Sequence, residues 1–177
     1  AGRPSLMEGR KSLTVYDGMY RMMENAFIDV KNQNSTYTAE VEVDEGANGV
    51  ILAMAGKFGG YSLYMMDGKP AFTYNWVGKE QYDIMSEKAV PAGEHTLRFE
   101  FAYDGGGLGK GGTLSIFIDG DKTGEGRIEN TNAYMYSLDE GADVGFDEGT
   151  NVSDNYGIAV HDNTFTGKIN FVRIDVE

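Results

Sequence analysis

An alternating pattern of apolar side chains around a glycine-rich loop constrains this chain more than any other feature. Apolar residues occupy every second position at 97–103 and 114–118, and the loop segment DGGGLGKGG lies between these runs. Alternation with a period of two is typical of a β-strand that has one buried face. The two runs therefore predict an antiparallel hairpin whose sheet packs against a second layer.

Short alternating runs recur along the rest of the chain, separated by turns that are rich in glycine. The sequence contains 25 glycines and three prolines, and no segment has a convincing helical period. This pattern predicts an all-β, antiparallel β-sandwich. The dipeptides Asp67-Gly68 and Asp119-Gly120 predict two tight hairpins, because type I′ turns need positive φ at both central residues. The predicted strands are 13–16, 37–43, 49–55, 62–66, 71–76, 81–85, 96–103, 113–119, 122–127, 141–146 and 169–176.

Length and composition limit the organisation of the chain. A chain of 177 residues with 41% hydrophobic residues has the size of one domain with its own core. We expect a single β-sandwich domain at 13–177, preceded by a tether at 1–12. Cysteine is absent, which excludes disulfides, thiolate metal sites and a cysteine nucleophile.

The charge of the chain disfavours two classes of partner. The formal net charge is −13, whereas binding of nucleic acid or an anionic membrane needs an excess of lysine and arginine. No run of 18 apolar residues occurs that would predict a membrane-spanning helix. We therefore predict neither nucleic acid nor a membrane as a partner.

An aromatic group of residues in the predicted hairpins at 61–82 suggests a surface for sugars. Aromatic rings present flat apolar faces on which sugar rings can stack. Alternation places some of the rings in the core, and we favour an inward position for Trp76. Tyr61, Asn75 and Tyr82 are the better candidates for an exposed contact. The predicted ligand-binding residues are Tyr61, Asn75, Trp76 and Tyr82.

The segment 128–167, here called the acidic segment, carries eight acidic residues and neither lysine nor arginine. Calcium takes six to eight oxygen ligands from carboxylates, amides and backbone carbonyls in loops. The spacing does not match an EF-hand loop, so a solvated acidic loop is the main alternative to an ion site. The candidate calcium ligands are Asp139, Asp143, Asp147, Asn151 and Asp154.

Two further patterns are weak indications of phosphate binding and of glycoside hydrolysis. Glycines 107, 109 and 112 fit a phosphate-binding spacing, but the loop connects two strands and no helix follows it, so we interpret it as a hairpin loop. Glu40, Glu42 and Asp44 share one strand face, as do the paired carboxylates of some glucanases. A charged solvent-facing surface is the interpretation we favour for these three acids.

Several segments of the sequence resemble those of a known protein family. These are the run at 97–136, the segment GVILAMAGKFGGYSLYMMDGKPAFTYNWVGKEQY at 49–82 and the segment YSLDEGADVGFDEGTNVSDNYG at 136–157. Together they resemble the C-terminal domain of bacterial arylsulfatases, over most of the chain from about residue 12. The resemblance implies a laminin-G-like or concanavalin A-like jelly roll, and a periplasmic or secreted bacterial protein.

The resemblance also implies a function that this chain cannot perform alone. Sulfatases of this kind hydrolyse sulfate esters with a formylglycine, made from a Cys or Ser in a C/S-x-P-S-R or related motif, and with a calcium ion. No such motif occurs in the sequence, so we predict that this chain is not itself an enzyme. By this interpretation it is a non-catalytic accessory domain that packs on an upstream sulfatase catalytic domain of the same polypeptide.

The alternative hypothesis is a carbohydrate-binding, lectin-like module. Laminin-G-like domains often hold calcium at a rim, so the resemblance also raises the prospect of a calcium-dependent module. The net charge of −13 repels sulfated polysaccharides, and we therefore expect a neutral glycan as the ligand. A glucanase-like hydrolase ranks last, because no carboxylate pair has an assignable geometry.

Overall fold

Two antiparallel sheets packed face to face form the structure, a computed structural model that describes residues 5–137 and 140–177. The six-stranded sheet has the strand order β1-β11-β2-β7-β8-β9, and the five-stranded sheet has the order β10-β3-β4-β5-β6. The strands are β1 (Ser12–Val15), β2 (Ser35–Val43), β3 (Gly49–Gly56), β4 (Gly59–Met66), β5 (Lys69–Trp76), β6 (Glu80–Met85), β7 (Gly93–Tyr103), β8 (Gly112–Ile118), β9 (Asp121–Ile128), β10 (Ala142–Val144) and β11 (Lys168–Val176).

The predicted all-β sandwich is confirmed, and each predicted strand overlaps an observed one. Asp67 and Gly68 have φ values of 49° and 81°, and Asp119 and Gly120 have values of 50° and 88°. Positive φ at both central residues is the signature of the type I′ turn, so both predicted hairpins are correct. The glycine-rich loop connects β7 to β8, as the alternation predicted.

The core lies between the two sheets and is built from alternate strand positions. Leu97 and Phe99 on β7 face Leu63 and Phe72 of the other sheet, and each is at most 2% exposed. Fully burying side chains of this size contributes about 1.5–3 kcal/mol each. On the outer face of the six-stranded sheet, Glu42 is exposed, in agreement with the solvent-facing interpretation of that strand.

The central strands of the five-stranded sheet, β3, β4 and β5, are buried on both faces, whereas the edge strand β6 is partly exposed. Residues 145–163, here called the covering segment, lie over the outer face of this sheet, where Val152 and Tyr156 pack on Val50 and Tyr64. The rings of Tyr64 and Tyr156 meet edge to face with centroids 5.2 Å apart. Part of the acidic segment is therefore packed against the sheet, and the expectation of a solvated loop is wrong for this part.

Helical structure is minor in the described residues. It comprises a 3-10 turn at Glu24–Ala26 and one helix, α1 (Val160–Asn163), of four residues. A single turn is too short to produce a helical period, which explains why the sequence did not predict it. No helix in the described ranges is long and apolar enough to cross a membrane.

The described part of the predicted tether lies against the sandwich. The Leu6 amide donates a hydrogen bond to the Asn25 carbonyl, at 2.8 Å, and Met7 is 8% exposed within the main core. The Lys11 carbonyl accepts a hydrogen bond from the Val176 amide at 2.9 Å. These contacts anchor residues 6–11 to the sandwich, and Ser5 lines the main cleft described below.

Candidate ligand-binding cleft

A cleft of about 900 Å³ opens between three loop regions, of which the first lies more than 100 residues before the other two. One wall is the connection between β1 and β2, and the others precede and follow β10. Its lining comprises Ser5, Arg21, Met23, Glu24, Asn25, Phe27, Asp29, Lys31, Tyr134, Met135, Ser137, Glu140, Gly141, Asp143, Glu148 and Gly149. A cavity of this volume is within the range of small-molecule binding sites.

Arg21 connects the first wall of the cleft to the third. Its guanidinium forms a bidentate ion pair with Glu148, with Nε–Oε2 at 3.0 Å and Nη2–Oε1 at 2.5 Å. Its backbone N–H donates to Asp143 Oδ1 at 2.9 Å, although Arg21 has a φ of 50°, which non-glycine residues rarely adopt. The hydrogen bond from Arg21 lowers the pKa of Glu148. Both walls are therefore fixed relative to each other around an exposed cation.

Glu24 and Lys31 form the second polar anchor of the cleft. Lys31 Nζ lies 3.0 Å from Glu24 Oε2 and 2.9 Å from Asp29 Oδ1, and its side chain is only 9% exposed. The same ammonium group lies 4.7 Å from the centroid of the Tyr136 ring. Glu24 Oε1 accepts a hydrogen bond from the Tyr136 amide at 2.8 Å. This network connects the β1–β2 connection to the segment that carries Tyr134.

Apolar side chains stand exposed beside these polar groups. Tyr134 is 77% exposed, Met135 is 51% exposed and Met23 is 46% exposed. Asn25 and Asp29 line the same cleft. A flat aromatic ring next to amide and carboxylate groups can stack on the apolar face of a sugar while the polar groups bond its hydroxyls.

The four residues predicted to bind a ligand lie outside this cleft. Tyr61 is 1% exposed, and its ring stacks on Phe72 with centroids 6.1 Å apart, so the expected exposure is wrong. Asn75 is also 1% exposed, which contradicts the same expectation. Trp76 packs partly buried against the core, as favoured, and Tyr82 is partly buried with its hydroxyl accepting a hydrogen bond from Asn130 at 3.0 Å. Strand alternation predicts one solvent-facing side of the sheet, but strands β3, β4 and β5 are covered on both faces.

Backbone amides hold the buried carboxylates among the predicted calcium ligands. Asp143 accepts from the Arg21 and Glu148 amides, at 2.9 Å each. Asp147 is fully buried, and its Oδ2 accepts from the Val152 amide at 3.0 Å and the Tyr156 hydroxyl at 2.6 Å. These acids thereby shape the turns of the covering segment.

The remaining predicted ligands do not complete an ion site. The Asn151 amide donates to the Tyr156 and Gly157 carbonyls, and Asp154 is exposed. Within residues 5–137 and 140–177, no three acidic, histidine or cysteine side chains converge on a position for a metal. Asp139 lies outside the described residues, and calcium binding therefore stays a prediction.

Burial changes the protonation of Asp147 more than that of the other acids discussed here. Removal from water raises the pKa of Asp147 to about 7, against the opposing effect of the Tyr156 hydrogen bond. Burial also raises the pKa of Asp143. Asp147 Oδ1 is buried and has no hydrogen-bond partner in the part of the chain that the structure describes. The carboxyl is consequently easier to bury as the neutral acid than as the anion.

Solved structures share this fold at low sequence identity. Domains LG4-5 of the mouse laminin alpha1 chain match with a TM-score of 0.53 and 14% identity, over 94% of this chain and 39% of that chain. The CBM40 of the Ruminococcus gnavus IT-sialidase, bound to alpha2,3 sialyllactose, matches with a TM-score of 0.59 and 12% identity, over 95% and 92%. The LG1-3 region of the laminin alpha2 chain matches with a TM-score of 0.55 and 14% identity, over 96% of this chain and 30% of that chain. No protein-family model matches the chain, and neither does any curated protein.

These similarities define the class of fold. The chain is a two-sheet β-sandwich of the jelly-roll type found in laminin G and CBM40 domains. It spans 39% of the LG4-5 domain pair that it matches, so the likeness concerns only part of that pair. Nothing in these similarities connects the chain to arylsulfatases.

The cleft has no signature in the sequence. The first wall lies more than 100 residues before the other two, and the ion pair of Arg21 with Glu148 joins positions separated by 127 residues. Tyr134 and Met135 are recognisable in the sequence only as apolar residues in a stretch without strand alternation.

Proposed function

We propose that this chain is a non-catalytic carbohydrate-binding module whose ligand occupies the cleft. The observation that carries the proposal is the exposed Tyr134 ring above a cleft lined by amide and carboxylate groups. A glycan needs both an apolar platform and hydroxyl partners, and this cleft supplies both. The sialyllactose complex of the CBM40 neighbour supports the idea that this type of fold can present a glycan site.

The charges of the cleft favour a neutral sugar there. Five acidic residues and two basic residues line it, and both basic side chains are already paired with acids. A sulfate group placed among these carboxylates would be repelled, whereas neutral hydroxyls can bond to them.

Binding of neutral oligosaccharides, measured on a glycan array and then by titration calorimetry, tests this proposal. Tyr134→Ala removes the stacking surface, and we expect about a tenfold loss of affinity, the upper part of the range for one aromatic contact. Leu108→Ala is the matched control, because Leu108 is 56% exposed on the glycine-rich loop and does not line the cleft. Equal affinity of the wild type and Tyr134→Ala for every bound sugar would contradict the proposed site.

A second candidate function is docking on a protein domain, as the arylsulfatase resemblance implies. The supporting observation is an exposed apolar surface on the segment before β2, since aromatic residues and methionine are enriched at protein interfaces. Its members are Leu6, Tyr16, Met19, Tyr20 and Met23, with exposed fractions from 39% to 74%.

Sedimentation of the chain with a separately expressed arylsulfatase catalytic domain tests docking. Complex formation that Tyr16→Ser with Tyr20→Ser abolishes would support the accessory role. No complex at micromolar concentrations, together with glycan binding, would leave the carbohydrate module as the function.

A further inference from the structure

Two hairpin tips at one end of the five-stranded sheet expose an apolar and basic surface. The β3–β4 turn carries Lys57 and Phe58, and the β5–β6 turn carries Val77 and Lys79. Phe58 is 69% exposed and Val77 is 43% exposed, and the partly buried Trp76 lies at the base of the second turn. These five residues are here called the hairpin-tip patch.

The buried side chain of Asn75 holds the two tips together. Its Nδ2 donates to the Lys57 carbonyl at 3.1 Å and to the Val152 carbonyl at 3.0 Å, and its Oδ1 accepts from the Gly78 amide at 3.0 Å. Val77 has a φ of 47°, a conformation that is unusual for a β-branched residue and persists only where surrounding contacts enforce it. The patch is thus rigid before any ligand arrives, which reduces the entropy lost on binding.

The chemistry of the patch differs from that of the cleft. Lys57 Nζ and Lys79 Nζ each lie 5.8 Å from an aromatic centroid, that of Phe58 and that of Trp76. Neither lysine forms an ion pair with any residue in the described ranges, although the chain as a whole has a net charge of −13. An aromatic platform flanked by two available ammonium groups suits a sugar ring that carries a carboxylate or a sulfate.

A short chain of hydrogen bonds connects the patch to the cleft. The Lys57 amide donates to Thr150 Oγ1 at 2.9 Å, and the Thr150 amide donates to Glu140 Oε1 at 2.6 Å. Glu140 lines the cleft. The two surfaces are therefore neighbours on one rigid end of the sandwich.

We infer that the hairpin-tip patch is a second subsite for an anionic sugar unit of the same glycan chain that occupies the cleft. This inference rests on the proposed function. It specifies the ligand as an oligosaccharide in which a neutral unit lies in the cleft and an acidic unit lies on Phe58 between Lys57 and Lys79. Glycans without an acidic unit then bind through the cleft alone.

An array of neutral, uronate-bearing and sulfated oligosaccharides, followed by calorimetry on the strongest binders, tests this inference. We expect the strongest binders to carry a carboxylate or a sulfate. Phe58→Ala and the double variant Lys57→Gln with Lys79→Gln should each weaken those ligands about fivefold to tenfold, the size expected for one aromatic contact or two exposed ion pairs. Both variants should leave the affinity for neutral oligosaccharides unchanged.

Control variants separate this effect from a general loss of charge or of apolar surface. Lys88→Gln with Lys168→Gln removes two exposed lysines that form no ion pair within the described ranges, and it should leave all affinities unchanged. Leu108→Ala removes a comparable exposed apolar side chain elsewhere. Thermal melting of each variant should match the wild type, because the replaced side chains are exposed.

The outcomes distinguish this inference from the proposed function. Wild-type binding that Tyr134→Ala weakens and the patch variants do not would overturn the second subsite and leave the cleft. Binding that only the patch variants weaken would refute the cleft and with it the shared chain. Association with phosphatidylserine vesicles or an acidic peptide that depends on Phe58, without any glycan binding, would assign the patch to another class of ligand and overturn the inference.

Discussion

Replacing Asp147 by Asn should make the protein more stable at alkaline pH and change its stability little at acidic pH. Asp147 is fully buried, and one carboxyl oxygen accepts hydrogen bonds from the Val152 amide and the Tyr156 hydroxyl. The Asn side chain has the same shape and keeps an oxygen for these two donors. It cannot ionise, and so it avoids placing a charge in the packed space between the covering segment and the sheet.

The magnitude follows from the pKa of Asp147. Burial raises this pKa from 3.8 to about 7, so the folded state holds the proton more tightly than the unfolded state. The favourable contribution of the Asp147 carboxyl to the free energy of unfolding is complete below pH 3.8, and it is lost as the pH rises toward about 7. The gap between the two pKa values corresponds to about 4 kcal/mol, which is the ceiling of the effect above pH 8. For a chain of this size that is about 10 °C in melting temperature.

Thermal and urea denaturation between pH 4 and pH 9, followed by circular dichroism, measures this effect. The difference in unfolding free energy between Asp147→Asn and the wild type should grow from near zero at pH 4 to a few kcal/mol at pH 8. Asp154→Asn is the control, because Asp154 is exposed in the same segment and its variant should follow the wild type. A difference that stays constant across this range would refute the assignment of the raised pKa to Asp147.

Three other perturbations have defined outcomes. Asn75→Ala should lower the unfolding free energy by about 2 kcal/mol in urea denaturation, because the buried Val152 carbonyl and two partly buried backbone groups lose their partner. Gly49→Ala should cost about 3 kcal/mol or more, since its Cβ would lie 2.6 Å from the Phe165 Cα, whereas Gly46→Ala, with a φ of 76° in place of 103° and open space around the Cβ, should cost only about 1–2 kcal/mol. Calcium added after EDTA should leave the melting temperature unchanged, because backbone amides hold the buried acids; a rise of several degrees would reveal an ion site in the acidic segment.

The sequence predicted the sandwich well because its signal is local. Alternation at 97–103 reports which side of one strand is apolar, and the Asp-Gly turns report the backbone conformation of two residues. Neither of these two signals depends on residues that are far away in the sequence. The eleven strands were therefore found with their boundaries shifted by three residues at most, and the short β10 is three residues long in place of six.

The functional surfaces were harder to predict because distant segments create them. Tyr61 and Asn75 lie on opposite faces of one sheet, and alternation cannot reveal that a later segment covers the second face. The acids of the acidic segment suggested an ion site by composition alone, whereas Asp143 and Asp147 accept hydrogen bonds from amides. Arg21 and Glu148 meet only after the whole chain has folded.

Because the cleft walls are far apart in the sequence, binding of a ligand in the cleft is coupled to folding of the chain. A ligand held by both walls acts as a temporary cross-link between the first and the last quarter of the polypeptide. The ligand dissociates as soon as either part detaches from the folded sandwich. Sensitivity to proteases should therefore fall when sugar is present, and it should fall most at cleavage points in the loop before β2, far along the chain from Tyr134.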